Sequence, residues 1–209
     1  MLFCHITSQV KEDKHQNLLS QRGGRGFPHL AFLDAEGLLL AVHNGQRTAA
    51  GFDETVVKAK AFVDLRKKAE AGDKAAKLEH FLQAMDLGHF TADELRKRAK
   101  ELDLGKDHMA KVEAACLNME IAAIFEGVTQ DKTTWVPAGK KFAEMKKAGR
   151  VPTDPSVAPN FWVFIMEYAY SEKDAPLFEE GLAAMKERKA RPQWVEAQEK
   201  RLAEIKEKK

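Results

Sequence analysis

The sequence predicts an α+β protein that is mostly helical. Short apolar runs separated by glycine-containing turns occur only before about residue 53. From there to residue 209 the apolar residues recur at helical spacing between glycine and proline breaks. Charged residues make up 32% of the 209 residues and hydrophobic ones 44%, a balance typical of a soluble, helix-rich globular protein.

The first elements follow the order strand, helix, strand, strand, helix. Residues 2–6 form a short apolar run that predicts a buried strand, and an amphipathic pattern around Leu18 predicts a connecting helix. Two apolar runs, 29–34 and 38–43, flank a short segment that contains Gly37, which is typical of a hairpin. A helical pattern then starts around Thr48.

The remainder predicts a series of helices. Asp73 is placed to cap a helix that stops at Gly88, and Thr91 with Glu94 has the spacing of a capping box. Further helices are predicted over 107–125, 137–148, 158–171, 175–189 and 192–208. We therefore divide the chain into a small mixed unit, 1–68, and an all-helical domain of stacked helical hairpins, 69–209.

A spacing of 33 residues separates Phe161 from Trp194 and Pro159 from Pro192. This spacing is close to the period of tetratricopeptide-like arrays, but the small residues those repeats need do not follow. We expect an irregular stack of helix pairs, with a tetratricopeptide-like array as the alternative. The aromatic residues of this region are expected to pack in the core, with a peptide-binding groove as the alternative.

The charge pattern excludes some function classes. The 34 basic and 32 acidic residues are interleaved and leave a net charge of +2, which argues against nucleic acid as a partner. The longest apolar runs are too short to cross a bilayer, and the N-terminus does not resemble a secretory signal. We expect a cytoplasmic location by default, with a secreted or periplasmic one as the alternative if the N-terminus is incomplete.

Residues 25–37, RGFPHLAFLDAEG, resemble the segment around the cis-proline of the thioredoxin family. The resemblance covers about residues 1–68 and implies the family's last three strands and last two helices. It makes Phe27, Pro28 and His29 a candidate cis-proline loop, with Pro28 at the position of the cis-proline. His29 stands where the family commonly has threonine.

The redox motif of that family has no counterpart in this sequence. The motif is a CxxC at the start of a helix upstream of every segment seen here, and the only cysteines are Cys4 and Cys116. The absent part would include a central strand, so we expect the gap to be closed by repacking or by strand exchange in a homo-oligomer. An alternative is a chain that is incomplete at its N-terminus.

No catalytic, cofactor-binding or metal-binding residue emerges from the sequence. Both cysteines are expected to be buried thiols, and single-cysteine redox chemistry at Cys4 is a minor alternative. His5, His29 and His43 can lie on one small sheet, but they lack recognised ligand spacing. The sequence favours a non-catalytic thioredoxin-like protein that binds a protein or peptide or acts as a scaffold. The alternative is a thioredoxin-like thiol-disulfide oxidoreductase whose CxxC lies upstream of Met1.

Overall fold

A computed structural model describes residues 18–21, 24 and 28–207 of the chain. The predicted class, α+β and mostly α, is confirmed. The chain divides into two compact units, 1–103 and 104–209. The strand predicted over residues 2–6 lies outside the described residues.

The first unit combines a hairpin with helices. The short helix α1 (Leu18–Gln21) precedes strands β1 (Ala31–Leu33) and β2 (Leu39–Val42), which pair antiparallel. Helices α2 (Ala49–Glu70), α3 (Lys74–Asp86) and α4 (Ala92–Glu101) follow. The hairpin and the helices were predicted, although both strands are shorter than their apolar runs.

Side-chain caps set the starts of these helices, and the sequence predicted the caps at Asp73 and Thr91. The Thr48 hydroxyl accepts a hydrogen bond from Gly51 N, and the Asp73 carboxylate accepts one from Ala76 N. Thr91 and Glu94 form the predicted capping box. Each cap satisfies a backbone N–H that has no partner within its own helix.

The core of the first unit continues beyond residue 68. Phe62 of α2 is 2% exposed and contacts two histidine rings, His80 of α3 at 5.1 Å and His89 of the next turn at 5.5 Å. Phe81 and Leu95 are also buried. Helices α3 and α4 therefore belong to the same compact unit as the hairpin, and the predicted boundary after residue 68 falls inside α2.

The second unit is built around one apolar helix. It contains α5 (Lys106–Glu126), α6 (Trp135–Lys147), α7 (Ala158–Ser171), α8 (Ala175–Glu187) and α9 (Pro192–Glu207). Helix α7 packs extensively against both α6 and α8. Its aromatic residues go into the core, as the sequence predicted; Phe161, Trp162 and Phe164 are all at least nine-tenths buried.

An ion pair attaches α9 to α7. Arg201 donates to both carboxylate oxygens of Glu167, at 2.7 and 2.8 Å, and its guanidinium lies 4.2 Å from the centre of the Tyr170 ring. The Tyr170 hydroxyl in turn donates to Glu204 of α9 at 2.5 Å. Bidentate geometry and partial burial make this a stronger contact than an exposed ion pair.

Two glycines allow the neighbouring helices to approach α7 closely. At Gly139 of α6, an added Cβ would collide with the carbonyl oxygen of Phe164 and lie 2.8 Å from Tyr168 Cβ. At Gly181 of α8, it would instead come within 2.5 Å of Met166 Cγ, part of a flexible side chain. The backbone of Phe164 cannot move aside as the Met166 side chain can. We therefore expect the two sites to differ in how well they tolerate an alanine.

We therefore expect Gly139→Ala to destabilise the protein by about 2 kcal/mol, from overpacking against the helix backbone. Gly181→Ala is the matched control, and we expect it to lose less stability than Gly139→Ala, because the Met166 side chain can change rotamer whereas the Phe164 carbonyl cannot move aside. Urea unfolding of both variants measures the difference. Equal losses of stability would contradict this interpretation of the α6–α7 contact.

Candidate functional site

The predicted cis-proline loop leads directly into β1. Phe27 lies outside the described residues, Pro28 is exposed and His29 is half-buried. The next residue, Leu30, accepts a hydrogen bond from His43 N at 2.8 Å and so begins the hairpin ladder. The cis isomer at Pro28 stays a prediction.

Asp34 organises the turn between the two strands. Its Oδ1 accepts hydrogen bonds from Glu36 N at 3.2 Å and Leu38 N at 2.8 Å, while its Oδ2 accepts one from Arg66 Nη1 at 3.0 Å. Gly37 adopts a φ of 79°, a conformation that costs glycine little. The carboxylate thus fixes the turn and attaches it to α2.

The pKa of Asp34 reflects these contacts. Burial raises it, but the hydrogen bond from Leu38 N, the hydrogen bond from Arg66 and the positive charge of Arg66 together outweigh burial. The pKa therefore lies below its ordinary value. The ionised form is the one that holds the turn.

The hydrogen-bond pattern shows which backbone groups of the hairpin face outward. Leu30 pairs with His43, and Asp34 N donates to Leu38 O at 2.9 Å. Because bonded and non-bonded pairs alternate in an antiparallel ladder, the N–H and C=O groups of Ala31 and Leu33 point away from β2. They form the outer edge of β1.

The two outer edges of the sheet differ. On β2, the outward carbonyl of Leu39 accepts a hydrogen bond from His89 Nε2 at 2.6 Å. On β1, neither Ala31 nor Leu33 has a hydrogen-bond partner for its outward groups within the part of the chain that the structure describes. Among the described residues, the edge of β1 is therefore open to an additional strand.

A β-bulge aims an apolar side chain beside this edge. Phe32 pairs with Ala41, but Leu33 pairs with Leu39, so Leu40 is the extra residue. Phe32 and Leu40 line a groove of about 330 Å³ whose other wall is α2. Helix α2 packs mainly against β2 and much less against β1, which leaves this space. The α2 residues that line it are Val56, Ala59, Lys60, Val63, Asp64 and Lys67.

Leu33 stands out by its exposure. Its residue surface is 40% exposed, and Val57 of α2, at 65%, is the other exposed large hydrophobic residue among those described. Successive side chains of a strand point to opposite faces, so Leu33 lies on the face opposite to Phe32. The edge is thus apolar on both faces.

The histidines near the hairpin have structural partners. His43 is 7% exposed and stacks on Phe52 with ring centres 4.3 Å apart. Because the Thr55 hydroxyl donates to Gly51 O, we assign His43 Nδ1 as the donor to Thr55 Oγ1, at 2.8 Å. No group of three or more His, Cys, Asp or Glu side chains in the described residues is arranged to hold a metal ion.

Cys116, one of the two cysteines, is fully buried as predicted; Cys4 lies outside the described residues. No described helix combines the length and apolar character needed to cross a membrane.

The sequence located the hairpin but not the features that define the open edge. The bulge at Leu40 and the hydrogen bond from His89 depend on register and on a contact 50 residues away.

Asp34→Asn tests the turn. We expect it to destabilise the protein by about 1–2 kcal/mol near neutral pH, because hydrogen bonds to a charged acceptor become weaker. The folded-state pKa is depressed, so this contribution is present above the unfolded-state pKa of about 3.9 and is lost as the pH falls through the folded value. Urea unfolding against pH measures it. Glu36→Gln is the control, and a wild-type advantage that persisted in acid would contradict the assignment.

His80 gives a second pH dependence. Burial lowers its pKa, the positive charge of Arg66 adds to this, and its Nε2 is buried with no partner among the described residues. The unfolded chain therefore binds a proton more readily, and stability falls as the pH drops below about 6.5.

We expect His80→Phe to be at least as stable as the wild type at pH 7 and to lose less stability between pH 7 and 5. Thermal unfolding at several pH values checks this, with His108→Phe in α5 as control. An unchanged pH profile in the His80 variant would contradict the role given to His80.

Comparison with known proteins adds no assignment to this site. The chain matches no family model, no curated protein and no solved structure. The resemblance of residues 25–37 to the thioredoxin family therefore stays a prediction from the sequence.

Proposed function

We propose that this protein is a non-catalytic, thioredoxin-like binding module that accepts an extended polypeptide segment at the outer edge of β1. The observation that carries the proposal is the pair of outward-facing residues, Ala31 and Leu33, beside the apolar groove. Strand addition at an exposed edge is a recurring mode of peptide recognition, in which backbone hydrogen bonds supply affinity and neighbouring pockets select side chains.

The groove supplies the selective part of such a site. A segment that pairs with β1 would direct alternate side chains towards α2, where Phe32, Leu40 and Val56 offer an apolar surface. The rim is polar, with Lys60 and Lys67 against Asp64; Asp64 lies 4.0 Å from Lys67 Nζ. Lys60 then favours a segment with an acidic residue next to its apolar one.

Exposure supports binding at the first unit. Leu33 and Val57, the exposed large hydrophobic residues of the described chain, both belong to it, whereas Phe161, Trp162 and Phe164 of α7 are in the core of the second unit. On this proposal the second unit, residues 104–209, serves as the scaffolding part of the protein.

Leu33→Lys tests the proposal. A lysine on an edge strand opposes strand addition, so we expect at least tenfold weaker binding of peptides selected from a random library against the full chain. Val57→Lys is the matched control, because it removes the other exposed apolar residue away from the edge, and it should bind like the wild type.

Hydrogen exchange locates the bound peptide. We expect the amides of Ala31 and Leu33 to gain protection when a selected peptide binds. Equal binding by both lysine variants, or protection confined to residues 104–209, would overturn the proposal.

A further inference from the structure

Strand β1 carries none of the side chains that usually prevent an edge strand from pairing with another edge strand. Edge strands of monomeric proteins commonly carry a lysine, a proline or an inward-pointing charge. Strand β1 consists of Ala31, Phe32 and Leu33, and none of these prevents pairing. The opposite edge is different, because His89 occupies the outward carbonyl of Leu39.

The outward residues of β1 are also arranged symmetrically. Ala31 and Leu33 lie one position on either side of Phe32, so a second β1 related by a twofold axis through Phe32 can pair antiparallel with the first. Ala31 then faces Leu33 of the second copy, and Leu33 faces its Ala31. Each of these pairs exchanges two hydrogen bonds, so all the outward groups of both strands gain partners.

The side chains agree with this register. Phe32 of each copy lies next to Phe32 of the other on the face towards α2, beside the open groove. On the other face, Leu33 is covered by the second copy's Ala31. Asp34 comes opposite Leu30 of the second copy, so no like charges are opposed, and each Asp34 is already paired with its own Arg66.

We infer that the strand accepted at this edge is β1 of a second copy of the chain, giving a twofold dimer in which Ala31 pairs with Leu33 and Phe32 lies at the axis. This inference rests on the proposed function and names its partner. The result is a four-stranded sheet in which the outward backbone groups of Ala31 and Leu33 gain partners. The interface is isologous, so it closes without forming filaments.

The register predicts a specific disulfide. In a non-hydrogen-bonded pair the two Cα atoms are about 4.5 Å apart, within the range that a disulfide bridges. Phe32→Cys should therefore form a covalent dimer under mild oxidation, in a Cys4→Ser background; Cys116 is fully buried. In Ala31→Cys or Leu33→Cys, the two introduced thiols lie on Cα atoms roughly 8–9 Å apart, which is too far. These two variants are the matched controls.

The second measurement is the oligomeric state of the chain without introduced cysteines, determined by sedimentation. We expect a concentration-dependent dimer for the wild type and for Val57→Lys, and a monomer for Leu33→Lys. Crosslinking of the three cysteine variants to the same extent would overturn the register.

Hydrogen exchange separates this inference from the proposed function. A monomer whose Ala31 and Leu33 amides gain protection only with an added peptide would overturn the dimer and leave the binding module standing. A monomer that protects them without any addition would indicate pairing within the chain and would also overturn the dimer. Failure of these amides to gain protection under any condition would reject both proposals.

Discussion

The carboxylate of Asp34 is the contact on which the hairpin, and therefore the candidate site, depends. It accepts two backbone N–H groups of the turn and one guanidinium N–H of α2. A turn of fixed geometry sets the strand register, and a slip of one residue would move every side chain to the opposite face. The outward direction of Ala31 and Leu33, and the position of Phe32 in the groove, both follow from this register. One half-buried acid thus links the turn, the helix that covers the sheet and the edge that is left open.

The two units solve the packing problem in different ways. The second unit surrounds an apolar helix, α7, and needs glycine at Gly139 so that the α6 backbone can approach it. The first unit covers a two-stranded sheet with α2 on one face, and a histidine side chain occupies the outward carbonyl of Leu39 on β2. Close packing around α7 leaves little apolar surface for a partner, whereas a short sheet leaves backbone groups and Leu33 exposed. Binding is therefore more readily supported by the smaller, strand-containing unit.

The sequence predicted the elements better than the site. Thr48, Asp73 and the Thr91–Glu94 box act over three residues, so their effect is visible in the local sequence. The hairpin followed from two apolar runs around Gly37. The bulge at Leu40 and the bond from His89 could not be predicted, because they depend on pairing register and on a contact between distant segments. Phe62 explains in the same way why the first unit extends beyond the predicted 1–68. Its contacts with two histidine rings join α2 to residues beyond the predicted boundary.

On the proposed function, strand addition and hairpin stability are thermodynamically linked. A partner that binds the folded edge, and not the unfolded chain, stabilises the fold by mass action. The link is stronger for a two-stranded sheet than for a large one, because the added strand supplies a substantial share of the sheet's hydrogen bonds and apolar contacts. It also acts in reverse, since any loss of the Asp34 turn lowers the population of the competent edge and weakens apparent affinity by that fraction. On this proposal, the ionised state of Asp34 contributes to how well the edge binds, through the hydrogen bonds that hold the turn.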